Sequence, residues 1–171
     1  MSVTGLPIAD QECPATTDNA CFADHIPNKC EKGDISEALF EIEAQRRGWL
    51  VASGRGKGRD FDSIIKRPSL IRPISVQVKM ANWNATPRGH FRYTVKCSGS
   101  GPYSSTAFDV LAVHLPDSDR WVFYKREEIG NRIGIVYLPP EFRKKAVRRD
   151  AITSRDPDNW ELLDEVAQSF K

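Results

Sequence analysis

The sequence predicts an α/β domain with a mixed central sheet flanked by helices. Three observations lead to this prediction. A capped helical segment opens the patterned part of the chain at residue 34. Short segments that alternate apolar and polar residues follow, and an apolar run at 108–115 is typical of a strand buried on both faces. Helical segments return near the end of the chain, which indicates helices packed in layers on a sheet.

The first helix is predicted in KGDISEALFEIEAQRRGW (32–49). Asp34 is a suitable N-cap, and Glu37 three residues later would complete a capping box. Gly48 is a suitable residue at which to end the helix. The helical spacing predicts a buried apolar stripe formed by Ile35, Ala38, Leu39 and Ile42.

Strands are predicted wherever alternation or a short apolar run is bounded by turn residues. They are WLVAS (49–53), DFDSIIK (60–66), ISVQVKMAN (74–82), HFRYTVK (90–96), FDVLAVHL (108–115), RWVFYKR (120–126) and IGIVYL (133–138). Helical segments complete the pattern: a short helix at 127–131, a basic helix around 140–149, and an amphipathic helix in DNWELLDEVAQSF that docks on the body.

The composition predicts one globular domain with additional segments at its ends. Residues 1–31 are rich in Pro, Asp, Thr and Asn without periodicity, so we expect an irregular or disordered arm, followed by the domain at 32–138. Residues 139–171 would hold the basic helix and the docking helix. No apolar run approaches the roughly 18 residues of a membrane span, and we expect a cytoplasmic protein. The four cysteines form no C-x-x-C pair, which favours reduced thiols over a zinc site or a disulfide framework.

Charge is strongly segregated along the chain. Residues 1–45 hold two basic and nine acidic side chains, whereas residues 46–96 hold twelve basic and two acidic ones. A second basic block covers residues 120–155. Such blocks predict binding to a phosphate backbone, with a solvated charged surface as the alternative. The side chains expected to contact DNA phosphates are Arg55, Lys57, Arg59, Arg88 and Arg92.

A polar constellation falls within the predicted helix and two strands. Asp62 lies among apolar residues of the second strand, and Gln77 and Lys79 share one face of the third. Hydrolysis of a phosphodiester needs a cation that activates water and neutralises charge, and Mg²⁺ prefers oxygen ligands. Asp62, the Gln77 side-chain oxygen and the Val78 backbone carbonyl could supply them, with Glu37 as a further carboxylate. Lys79 could orient the attacking water.

Each of these residues also has an ordinary structural interpretation. Glu37 could serve only the capping box, and Gln77 and Lys79 could be exposed strand residues. Asp60 competes with Asp62 because residues two apart on a strand face the same way. For Asp109, before the 110–115 run, a structural role at the start of the strand is favoured over metal binding.

The motifs GDISE…L…RRGWLV, RDFDSII, VQVKMA and YSSTAFDVLAVHLPDSDRWVFY together resemble the PD-(D/E)XK nuclease superfamily over about residues 32–129. The nearest branch resembles small intron-homing and Holliday-junction-resolvase-like endonucleases, some of which carry Q-x-K. The resemblance matches Glu37, Asp62, Gln77 and Lys79 to the family's site, although Phe61 stands where the family has proline.

The resemblance implies a restriction-endonuclease-like αβββαβ core and a Mg²⁺-dependent endonuclease that acts on DNA, with Mn²⁺ able to substitute. A homodimer or higher homo-oligomer is expected, because two-fold symmetry suits the cutting of two strands. A non-catalytic nucleic-acid-binding module with the same fold is the main alternative. An interaction domain whose acidic arm covers its own basic face is a third.

Overall fold

A computed structural model describes residues 28–54, 60–85, 91–96, 101–139 and 155–169. The helices within these residues are α1 (Lys29–Arg46), α2 (Arg126–Ile129) and α3 (Glu161–Ser169). The strands are β1 (Leu50–Ser53), β2 (Ser63–Lys66), β3 (Ile74–Met80), β4 (Asn82–Ala85), β5 (Phe91–Lys96), β6 (Val110–Leu115), β7 (Arg120–Lys125) and β8 (Gly134–Tyr137). The predicted strands are therefore present, with some boundaries moved by a few residues. The basic helix predicted at 140–149 lies outside the described residues.

The described strands form two sheets. The first has the order β1-β2-β3-β6-β7, in which β3 and β6 are parallel and the other neighbours are antiparallel. The predicted mixed central sheet is thus confirmed. The second sheet, β4-β5-β8, is antiparallel, and its first two strands belong to the connection between β3 and β6.

The first sheet is covered on both faces. On one face α1 and α3 pack against it, and Phe40 of α1 contacts the rings of Trp121 and Trp160. On the other face the buried sides of β5 and β8 pack against β6 and β7 together with α2. The C-terminal helix α3 buries Leu162, Leu163, Val166 and Ala167 in the core on the first of these faces.

The predicted cap of the first helix is wrong, because α1 begins at Lys29 and its N-cap lies six residues before Asp34. Asn28 is the N-cap, and its side chain accepts hydrogen bonds from the backbone N–H groups of Cys30 and Glu31. The Glu31 carboxylate accepts from the Asn28 N–H at 2.7 Å and completes the capping box. Residues 29–31, which were predicted to belong to the arm, are therefore helical, and Glu37 lies well inside the helix.

The predicted buried stripe of α1 is also wrong. Ile35 and Ile42 are each 47% exposed and Leu39 is 36% exposed, whereas the buried side chains are Ser36, Phe40 and Ala44. These three are spaced four residues apart, with small side chains on either side of one aromatic ring. Small side chains let the helix backbone approach the sheet closely, so this contact depends on the shape of the residues as well as on their hydrophobicity.

The helices in the described part of the chain include none that is long and apolar enough to cross a membrane.

Candidate active site

Asp62 lies immediately before β2, at the point where that strand meets the middle of β3. Its backbone N–H donates to the Val76 carbonyl at 2.9 Å. Its carboxylate oxygen Oδ2 accepts from the Val78 N–H at 2.7 Å and also from the Gln77 amide nitrogen. Burial raises the pKa of Asp62, and the Val78 N–H, the charge of Lys79 and the Gln77 amide oppose that rise. Asp60, the competing carboxylate, is exposed.

Gly54 holds the backbone of Asp62 in place, and the sequence analysis missed it. It follows β1, and its N–H donates to the Asp62 carbonyl at 2.6 Å. A Cβ atom at this position would lie only 2.7 Å from that carbonyl oxygen. Only glycine permits such a close approach without a shift of the backbone. The sequence could have indicated this role, because Gly54 stands directly after a predicted strand and before a basic segment.

Gln77 and Lys79 are placed by the alternation of β3. The Gln77 side chain is buried, with only 3% of its surface exposed. It is therefore not the exposed strand residue that the alternative interpretation requires. Its amide nitrogen faces Asp62 and also lies 3.4 Å from the Val78 carbonyl oxygen. Lys79 is half-buried, and its charge acts on both Asp62 and Glu37.

Glu37 reaches the same place from α1. The pKa of its carboxyl is raised from 4.5 to about 7, first by burial and then by the negative charge of Asp62, while the positive charge of Lys79 opposes the rise. The charges of Asp62 and Lys79, which come from two other parts of the fold, are therefore near enough to act on the Glu37 carboxyl. Because Asn28 and Glu31 cap the helix, the capping role that competed for Glu37 is removed.

A buried polar contact anchors α1 next to Glu37. The Ser36 hydroxyl lies 3.1 Å from Nδ1 of His114 on β6, and Nε2 of His114 lies 3.2 Å from the Asp119 carboxylate. Ser36 also donates to the Lys32 carbonyl at 3.1 Å, and the imidazole stacks on Trp121. This contact between α1 and β6 fixes the position of the helix along the sheet.

The donor set suits a hard divalent cation more than a softer metal. The available groups are the carboxylates of Glu37 and Asp62, the Val78 carbonyl and the Gln77 side chain, all of which offer oxygen. No group of three or more His, Cys, Asp or Glu side chains in the described part of the chain is arranged to hold a metal. Gln77 directs its amide nitrogen toward the Asp62 carboxylate and the Val78 carbonyl, so its amide would have to rotate to present oxygen to a cation.

The predicted phosphate-contacting residues are only partly covered by the structure. Arg55, Lys57, Arg59 and Arg88 lie outside the described residues, whereas Arg92 is exposed on β5.

Asp109 has the structural role that the sequence analysis favoured. Its carboxylate accepts from the Ser75 N–H at 2.8 Å, from the Ser75 hydroxyl at 2.9 Å and from Arg72 at 3.2 Å. These bonds tie the start of β6 to the start of β3.

Comparison with solved structures identifies a similar fold in a bacterial homing endonuclease, I-Ssp6803I. The two share a TM-score of 0.63 and 18% sequence identity, and the alignment covers 83% of this chain and 95% of that one. No protein-family model matches the chain, and no curated protein sequence does. At this identity the likeness establishes the fold: the chain is an α/β domain of endonuclease-like architecture, with a mixed five-stranded sheet flanked by helices.

Proposed function

We propose that the chain is a metal-dependent endonuclease that hydrolyses phosphodiester bonds in DNA. The observation that carries this proposal is the convergence of Glu37, Asp62, Gln77 and Lys79, which come from α1, the start of β2 and β3. Burying several ionisable groups together lowers the free energy of unfolding unless a partner or ligand compensates their charges. Such a cluster therefore favours a functional site. The homing endonuclease with the same fold supports DNA as the substrate.

Within the PD-(D/E)XK pattern this would be a Q-x-K variant. Asp62, the Val78 carbonyl, Glu37 and the rotated Gln77 amide would hold Mg²⁺, and Mn²⁺ could take its place. The cation, when bound, supplies charge neutralisation and a more acidic water. Lys79 would hold the attacking water and offset the negative charge that develops on the phosphate oxygens. Gly54 would keep Asp62 in register with β3.

A homodimer or higher oligomer would present two such sites to the two strands of a duplex. This assembly is part of the proposal and would be measured by light scattering of the chain with and without duplex DNA.

The second candidate is a non-catalytic nucleic-acid-binding module, and the Gln77 amide favours it. Its nitrogen donates to Asp62 and faces the Val78 carbonyl, the same two groups that a cation would need. An N–H group there satisfies these oxygens internally, so the cation must displace a hydrogen bond to bind.

Nicking of supercoiled plasmid by the full chain separates the two candidates. With Mg²⁺ or Mn²⁺ the wild type should nick, and chelation with EDTA should stop it. Asp62→Asn and Lys79→Ala should each reduce the rate at least about 100-fold. Asp60→Asn is the matched control, because it changes an exposed carboxylate two residues away and should retain the rate.

Circular dichroism would verify that each variant remains folded. Wild-type activity in folded Asp62→Asn and Lys79→Ala would rule out this site. A wild type that binds DNA but nicks with neither metal would establish the second candidate.

A further inference from the structure

The outer face of the second sheet carries a compact set of polar side chains. Tyr93 and Val95 of β5 are buried toward the first sheet, so the residues that alternate with them face outward. Asn82 and Asn84 of β4 pair in register with Thr94 and Arg92. We call the outward set the polar face; its members are Asn82, Asn84, Arg92, Thr94 and Lys96.

The charge of the polar face is purely positive. Residues 63–108, which include β4 and β5, contain no Asp or Glu, and β8 contains none either. Arg92 is the only arginine in the described segments whose side chain makes no ion pair, hydrogen bond or ring contact. All the others are engaged: Arg46, Arg47, Arg67, Arg72, Arg120, Arg126, Arg132 and Arg155. An exposed guanidinium that has no partner among the described residues is available for an external anion or acceptor.

The amide of Asn84 adds an acceptor to this basic surface. Its Nδ2 donates to the Asn82 carbonyl at 2.9 Å and to the Thr94 hydroxyl at 2.7 Å, so both of its N–H groups are used. Its Oδ1 accepts no hydrogen bond from any described residue and remains available to a ligand. An acceptor cannot hydrogen-bond to a phosphate group, because the phosphate oxygens are themselves acceptors. It suits the amino groups of adenine and cytosine at the edge of a base pair.

The spacing of the face matches a DNA groove. Alternate residues of a strand lie about 6.8 Å apart, and two base-pair steps of B-DNA measure about the same. A two-stranded β-ribbon fits the major groove, which is about 12 Å wide. On the third strand the outward positions are occupied by Gly134 and by the half-buried Val136. The side chains that project are therefore those of the β4–β5 ribbon.

We propose that β4 and β5 lie in the major groove of duplex DNA and that the polar face reads base edges there. Arg92 would donate to guanine, Asn84 would accept from an adenine or cytosine amino group, and Lys96 would contact the backbone. The proposal rests on the proposed function only for its choice of DNA as the ligand.

Selection from a library of random 30-base-pair duplexes tests it, with the full chain in EDTA so that binding is separated from cleavage. The wild type, Asn84→Ala, Arg92→Ala and Arg92→Lys would each be selected, and their bound duplexes sequenced. Arg46→Ala is the matched control, because Arg46 is an exposed arginine on α1 outside the second sheet. Circular dichroism would show that each variant is folded.

We expect the wild type to enrich a consensus and Arg46→Ala to enrich the same one. Arg92→Ala should lose preference at one or two base pairs and bind the consensus duplex at least about tenfold more weakly. Arg92→Lys should restore affinity but not preference, since lysine lacks the bidentate fork. Asn84→Ala should lose an adenine or cytosine preference at another position.

An unchanged consensus in both Arg92→Ala and Asn84→Ala would overturn base reading, as would equal weakening on consensus and scrambled duplexes. Plasmid nicking in Mg²⁺ is scored separately. If the wild type nicks plasmid but Asn84→Ala and Arg92→Ala select the same consensus as the wild type, base reading by the polar face is refuted and the nuclease proposal stands. If these variants change the selected consensus but the wild type does not nick plasmid, the nuclease proposal is refuted and base reading stands.

Discussion

Gly54→Ala is the sharpest perturbation of the candidate site, because it moves Asp62 without removing any functional group. The added Cβ would lie 2.7 Å from the Asp62 carbonyl oxygen and 3.0 Å from its carbonyl carbon. Both are backbone atoms and cannot turn aside as the end of a flexible side chain can. The two segments must therefore separate by a few tenths of an ångström or more, which lengthens the Gly54 N–H to Asp62 hydrogen bond.

The expected loss of stability follows from these two effects. Overpacking against backbone costs about 1–3 kcal/mol, and weakening one hydrogen bond costs up to about 1 kcal/mol. We therefore expect Gly54→Ala to lower the free energy of unfolding by about 2–3 kcal/mol. Displacement of the Asp62 carboxylate should lower the nicking rate at least about tenfold, since misplacement by 1 Å can cost about 100-fold.

Gly33→Ala is the matched control. Gly33 lies within α1, and a Cβ there would meet no atom within 4 Å. Alanine in a helix interior is favoured over glycine by about 0.5–1 kcal/mol, so this variant should be slightly more stable than the wild type and equally active.

Urea unfolding followed by tryptophan fluorescence gives the stability, and plasmid nicking in Mg²⁺ at a urea-free, fully folded condition gives the rate. If Gly54→Ala matched Gly33→Ala in both measurements, the close approach of Gly54 to Asp62 would not exist in the folded protein. If it lost stability but kept the full nicking rate, the position of Asp62 would not matter to the reaction.

Three further predictions concern the groups around Asp62. Glu37→Gln should raise the free energy of unfolding of the metal-free protein by about 1 kcal/mol above pH 7 and should leave it unchanged near pH 4.5. The reason is that the Glu37 pKa is raised to about 7 in the folded protein, so the ionised carboxylate destabilises the fold above that pH, and the amide removes this cost. The value of about 1 kcal/mol is roughly a third of what the pKa shift alone would give, because Glu37 is only half-buried and solvent screens its charge. Urea unfolding in EDTA at both pH values measures this, and an equal effect at both would contradict it. Gln77→Glu should tighten Mn²⁺ binding about tenfold or more, because a carboxylate replaces an amide; titration calorimetry with no change in affinity would count against Gln77 as a ligand. Ser36→Ala should lower the free energy of unfolding by about 1–2 kcal/mol, because Nδ1 of the buried His114 loses its hydrogen-bond partner. A free energy of unfolding within about 0.3 kcal/mol of the wild type, measured in urea, would show that the contact is not stabilising.

Much of the sheet could be predicted from the sequence because alternation is a local property. The pattern of β3 placed Gln77 and Lys79 on one face, and the apolar run of β6 predicted its burial. The buried face of α1 was harder to predict, since most of the apolar residues of the helix do not lie on that face. Ile35 and Ile42 are exposed while Ser36 is buried, a choice made by the close packing of α1 on the sheet.

The candidate site shows the same division. The available groups can be read from the chain alone: two carboxylates, an amide and a lysine, within a charge pattern suited to phosphates. The folded arrangement is needed to see that these groups lie together, that Gly54 contacts the backbone of Asp62, and that the Asn84 side chain leaves an acceptor on the outer face of the second sheet. Residue type and strand period are set within a few neighbours along the chain. Distances between α1, β2 and β3 depend instead on how densely the side chains between them pack.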